Sequence, residues 1–151
     1  MSSLRRAVVL HGILIGLLAV QVVVYYPRLP DRVASHFGAG GVADGWMDKP
    51  AFAVVSVASL LVTAAMMIGL QALMIFMEHV PASMINMPNK QYWLAPERRA
   101  ESMAWLVSVM SPFMLWIGVG VNALLVVVLG MALRANLTPE PRLTYAMPVT
   151  L

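Results

Sequence analysis

Three long uncharged runs constrain this chain more than anything else in it. Ala7 to Tyr26, Ala51 to Met77 and Met103 to Leu133 contain no Asp, Glu, Lys or Arg. Each reaches the roughly 20 residues that an α-helix needs to cross a hydrocarbon core about 30 Å thick. A backbone in lipid must satisfy its own polar groups, so a single run of this kind becomes a helix. Composition points the same way. The chain is 60% apolar and 11% charged, whereas soluble domains carry about a quarter charged residues. The expected fold is an all-α integral membrane protein, one membrane domain over residues 1–151. Helices are expected over about 7–26, 51–77 and 96–134, with loops at 27–50 and 78–95 and a tail at 135–151.

The first run follows a short polar start ending in Arg5-Arg6 and finishes at Tyr25-Tyr26, an aromatic belt. Pro27 stops it, because proline has no N–H to donate and clashes with the preceding turn. A signal peptide fits poorly, since the apolar core is too long and no small-x-small cleavage site follows. Gly12 and Gly16 share a face and suit close helix contact. His11 is expected to be neutral and hydrogen-bonded to a neighbour, with a proton relay as the lesser reading. In the second run, Gln71 is expected to bond another helix. The third run is long for one span and contains Pro112. It is read as one helix kinked there, or as two helices broken near Ser111-Pro112.

Between the first two runs lies LPDRVASHFGAGGVADGWMDK, Leu29 to Lys49. Pro30 at a first helical position and Asp31 in a first turn predict a short helix to about His36. Gly38, Gly40 and Gly41 then break it, and Asp44-Gly45 is a turn signal. Trp46 is expected at the membrane interface. The second polar segment holds Lys90, Tyr92 and Trp93 as an interfacial patch, then Ala95-Pro96-Glu97 as a helix start. Its charges balance, with Lys90, Arg98 and Arg99 against Glu78, Glu97 and Glu101. It would suit anionic lipid head groups or a partner protein. The tail, with Pro139, Pro141 and Pro148, shows no periodicity and is read as extended. Asn136-Leu137-Thr138 matches the glycosylation acceptor pattern, which is short and frequent by chance.

Several chemistries are disfavoured. There is no Cys, which removes disulfides, Cys-ligated zinc and thiol catalysis. Thirteen Met are read as flexible gap-filling between helices rather than copper ligands, on the ground that no pair repeats a ligand spacing. His36 with Asp31, Asp44 and Asp48 has no fixed ligand spacing, so Asp31 and Asp44 are read as turn and cap residues and His36 as packing near Trp46. The Gly38–Gly41 stretch lacks the Lys-Ser/Thr of a phosphate loop, and no G-x-S-x-G is present. Basic residues are scattered or next to apolar runs and act as membrane anchors, so a nucleic-acid face is not expected.

The arrangement of Leu29, Pro30, Asp31, Arg32, Val33, His36, Phe37, Gly41, Asp44, Gly45, Trp46 and Lys49 resembles a bacterial membrane domain of unknown function. That domain is found at the N-terminus of SdpI-like immunity proteins. Ala34 stands where Pro is common there, and Gly38 where Asn is common. The resemblance implies an integral protein of the bacterial inner membrane. Some relatives give immunity against a secreted peptide toxin, and they carry further membrane helices.

The resulting expectation is a small, non-enzymatic binding or accessory subunit without cofactor or metal. It would act through its outer loop or by packing in a larger assembly. Its partners would be membrane lipids and other membrane subunits or further copies of itself. The rival expectations are SdpI-like immunity and a metal- or small-molecule-dependent enzyme centred on His36. Partner-binding candidates are Asp31, His36, Phe37, Asp44, Trp46 and Lys49, together with Lys90, Tyr92, Trp93, Arg98 and Arg99. Basic residues tie across the three spans. Arg5, Arg6, Lys90, Arg98 and Arg99 fall on one side, and Arg28, Arg32, Lys49, Arg134 and Arg142 on the other. Arg5-Arg6 abuts the first helix and favours an N-terminus in the cytoplasm.

Overall fold

The computed structural model describes residues 3–143. Among them, three helices are long and apolar enough to cross a membrane. They are α1 (Ser3–Tyr25), α2 (Lys49–Leu73) and α4 (Arg99–Ala135). The single-turn helix α3 (Lys90–Trp93) precedes α4. The polar stretch between α1 and α2 is an antiparallel hairpin, β1 (Arg32–Phe37) with β2 (Ala43–Asp48), so the fold is not purely α-helical. Residues 144–151, including Pro148 of the expected tail, lie outside the described residues.

α1 starts four residues before the charge-free run and yields to a 3-10 turn at Tyr26–Arg28, where Pro27 withholds its N–H. Pro50 sits in the first turn of α2, a position whose N–H has no helical partner in any case. α2 gives way at Met74–His79 to a six-residue 3-10 helix. It ends before Pro81, with Val80 extended at φ −68° and ψ 126°, as a residue before proline must be. Pro96 lies in the turn before α4 rather than in its first turn. α4 runs unbroken through Pro112, so the third apolar stretch is one helix and not two.

The described chain forms two compact units. Of the described residues, the first holds 3–11 and 63–121, and the second 12–62 and 122–143. In the first, Ser111 Oγ accepts from Gln71 Nε2 at 2.5 Å and shares a 2.5 Å hydroxyl pair with Ser3 Oγ. One serine on α4 thus links α1 and α2. Ile85, Leu94 and Met103 form a small core over the start of α4. Gly118 of α4 is a second close approach, because a Cβ there would lie 3.0 Å from the Met67 Cβ and 3.3 Å from His11 Nε2. His11 is buried and bonds the Ala7 carbonyl at 2.8 Å through Nδ1.

In the second unit, Leu18, Leu60 and Val126 supply one buried side chain from each long helix. Gly130 lets α4 approach α1, since a Cβ there would stand 2.9 Å from Gln21 Oε1. Gly12 and Gly16, the expected contact face, are exposed with nothing within 4 Å of their Cβ positions. The close approaches on α4 therefore use Gly118 and Gly130. Below the hairpin, Leu29, Val33, Phe52, Ala132 and Leu133 form a further core, with Phe37 and Met47 packed against it.

Candidate functional site

An isolated two-stranded hairpin is marginal in water, and this one is held on three sides. On one side, Val33 and Ala34 have no exposed surface. The second support is Asn136, just past α4. Its Oδ1 accepts the Ala34 N–H at 2.7 Å, and its Nδ2 donates to the Ala34 carbonyl at 3.0 Å and the Ala132 carbonyl at 2.8 Å. The amide thus serves the free edge of β1 as a neighbouring strand would. At the far end, the Leu143 N–H donates to the Gly41 carbonyl at 2.9 Å and Arg142 bridges Val42.

These supports explain why the expected short helix is absent. A helix of one or two turns is marginal by itself, whereas the extended segment gains a ladder, a buried edge and the Asn136 clamp. β2 alternates strictly, with Ala43, Gly45 and Met47 turned inward and Asp44, Trp46 and Asp48 exposed. Asp44-Gly45 is accordingly strand, and the chain reverses at Gly38–Gly41. Gly40 and Gly41 have φ of 79° and 73°, and a Cβ on Gly41 would collide with the Leu143 carbonyl.

The register slips on both sides of His36, so Ser35 has no partner in the ladder. Such irregularities re-aim side chains. Here the result is that His36 Nδ1 meets Asp44 Oδ1 at 2.5 Å on the exposed face, the side chains being 73% and 52% accessible. An imidazole N–H donating to a carboxylate can form with His36 neutral or protonated. Two glycines make room for the pair. A Cβ on Gly38 would stand 2.5 Å from Asp44 Oδ2, and one on Gly45 would stand 2.8 Å from the His36 Cβ. His36 is thus oriented by Asp44, while Trp46 sits opposite Ala34 in the ladder. Trp46 keeps 46% of its surface exposed.

The other first-loop candidates hold the hairpin in place. Lys49 Nζ donates to the Leu29 carbonyl at 3.0 Å and lies 4.7 Å from the Tyr26 ring centre. The Lys49 N–H closes on the Asp31 carbonyl at 2.8 Å, and Asp31 has an exposed side chain. Phe37 packs on the core below. Tyr25 accepts from Arg134 Nε at 3.0 Å. The belt tyrosines therefore each carry a cation.

The second group lies in the other unit. Tyr92 and Trp93 meet edge to face at 5.0 Å, and the Arg98 guanidinium stacks 4.0 Å from the Tyr92 ring. Lys90 opens α3, next to a left-handed Asn89 at φ 52°. Arg99 donates to the Val80 carbonyl and ties the 3-10 segment to α4. Among the described residues, no group of three or more His, Cys, Asp or Glu is placed to hold a metal ion.

Sequence reasoning missed Asn136 as a structural residue, because its partner is 102 positions away. It also missed the hairpin, although the period of two in β2 and the glycines between the strands are the sequence signs of one.

Three helices long and apolar enough to cross a membrane, with a clamped polar hairpin between the first two, mark a membrane protein. Residues 13–62 match a family described as a domain of unknown function, DUF1648. That span starts in α1, ends in α2 and has the hairpin at its centre. No curated protein and no solved structure matches the chain.

Proposed function

We propose that this chain is a non-enzymatic binding or accessory subunit of a bacterial cytoplasmic membrane, and that the hairpin is its recognition surface. The observation that carries this reading is the exposed His36–Asp44 pair, with Trp46 two residues beyond Asp44 and also exposed, on a hairpin anchored by the buried Val33 and Ala34 and clamped by Asn136. Rigid display of an aromatic and an oriented polar pair lowers the ordering cost of binding. Aromatic anchors of this kind recur at interface centres. The helices offer a second contact route. α1 leaves Gly12 and Gly16 open beside Ile13, Leu17 and Val20, a small-residue face of the sort that pairs helices in lipid. The partner would be another membrane subunit or a second copy, within a lipid annulus. The hairpin would face outward and the N-terminus the cytoplasm. SdpI-like immunity would be one form of such binding.

Isolation of the whole protein from native membranes in mild detergent tests the reading. The expected result is a complex or oligomer that persists in wild type and is weakened at least about tenfold by Trp46→Ala or Asp44→Ala. A bare monomer, or a complex indifferent to both substitutions, would overturn it.

A further inference from the structure

Between the end of α2 and the start of α4 lies a cavity of about 370 Å³, within the usual range for ligand sites. Five of its lining residues are methionines, Met74, Met77, Met84, Met87 and Met110, and the polar one is Asn86. This corrects the reading of the methionines as unpatterned. Met74-Ile-Phe-Met77 and Met84-Ile-Asn-Met87 repeat one spacing, Met-x-x-Met, starting ten residues apart. The first pair sits in the 3-10 helix Met74–His79, where residues three apart eclipse on one face. The second starts at the end of a 3-10 turn, Ala82–Met84, and continues through an extended Ile85 into chain outside any helix or strand. Met110 comes from α4, one turn beyond Leu106 on the same wall.

We infer that this cavity is a binding site for a soft monovalent cation, Cu(I), held by thioether sulfurs. Thioethers select Cu(I) over hard cations, and with no Cys in the chain they are its only sulfur donors. Each methionine has three rotatable bonds, so sulfurs from separate elements can converge on one ion. Gap-filling explains a methionine inside a packed core. It does not explain Met84, which keeps 76% of its surface exposed at the cavity rim. An ion in an apolar space carries a desolvation penalty. The open rim and the Asn86 amide moderate that penalty here. The site needs no change of oxidation state and is independent of the hairpin.

The test uses the full chain in detergent under anaerobic reducing conditions, with Cu(I) competed against a chromophoric Cu(I) chelator and Ag(I) as the redox-inert probe. The expected result is one equivalent bound with a sulfur-only shell by X-ray absorption. Affinity should fall more than about 100-fold in the variant carrying Met74→Leu, Met77→Leu, Met84→Leu and Met87→Leu, since even outer-shell losses cost 10–100-fold at metal sites. Met→Leu nearly conserves volume, and an unchanged thermal melt would show that the variant is folded. Met66→Leu with Met131→Leu, away from the cavity, should bind as wild type does. No binding above the chelator, equal binding by the four-Leu variant, or a nitrogen or oxygen shell would each overturn the assignment.

Discussion

Two polar residues of the hairpin region differ sharply in what they do for stability. Asn136 is 1% exposed and satisfies both backbone groups of the buried Ala34. Asn136→Ala would strand both, at about 1–3 kcal/mol for each buried unpaired group. We expect a destabilisation of about 2–6 kcal/mol and a loss of amide-exchange protection over residues 32–37. Unchanged protection there would refute the clamp. His36, by contrast, sits in an exposed pair, and such pairs contribute roughly 0–1 kcal/mol. His36→Ala should therefore leave the melting profile within that margin. At this scale the sequence showed which residues are unusual but not why. Gly38 and Gly45 stood out as breakers, whereas their use is to leave room for Asp44 and His36. Asn136 looked like an acceptor motif because nothing local reveals a partner 102 residues away.

The long helices were legible as elements, and their connections were not. Charge-free length sets where a helix can cross lipid, so α1, α2 and α4 fall within a few residues of the expected bounds at most ends. The hairpin was misjudged because Pro30 and Asp31 mimic a helix start, while tertiary contacts decide the outcome. Gln71 bonds another helix as expected, through Ser111, which also pairs with Ser3, whereas His11 and Ser59 bond carbonyls of their own helices. Ser111→Ala removes the partner of both Gln71 and Ser3. Gln71→Leu leaves the Ser3–Ser111 pair intact. Hydrogen bonds between helices in membranes average about 0.6 kcal/mol and reach about 1.7. Ser111→Ala should fall toward the upper value, and Gln71→Leu toward zero, in reversible unfolding from bicelles. Equal losses would mean that Ser111 is not shared.

For the whole molecule, hydropathy gives the number of spans but not their direction, since basic residues divide five against five. The absence of cysteine makes direction measurable without background. With three spans, Ala39→Cys in the hairpin turn and Gln91→Cys in α3 should react from opposite sides with a membrane-impermeant maleimide in intact cells. We expect Ala39→Cys to be labelled from outside and Gln91→Cys only after lysis. Labelling of both from one side would refute a three-span arrangement. α4 adds a length argument. Its 37 residues at 1.5 Å each make about 56 Å, well beyond a core of roughly 30 Å. Turns of α4 must therefore lie outside the hydrocarbon.

The Asn136 clamp also sets an order of events during synthesis. β1 and β2 leave the ribosome early, yet the residue that completes the edge of β1 follows 102 positions later. At 5–20 residues per second that delay is roughly 5–20 s. Throughout it the Ala34 peptide must rely on water or a chaperone. The nascent hairpin is a provisional structure until the last long helix is in place, and any truncation before residue 136 would leave it so permanently.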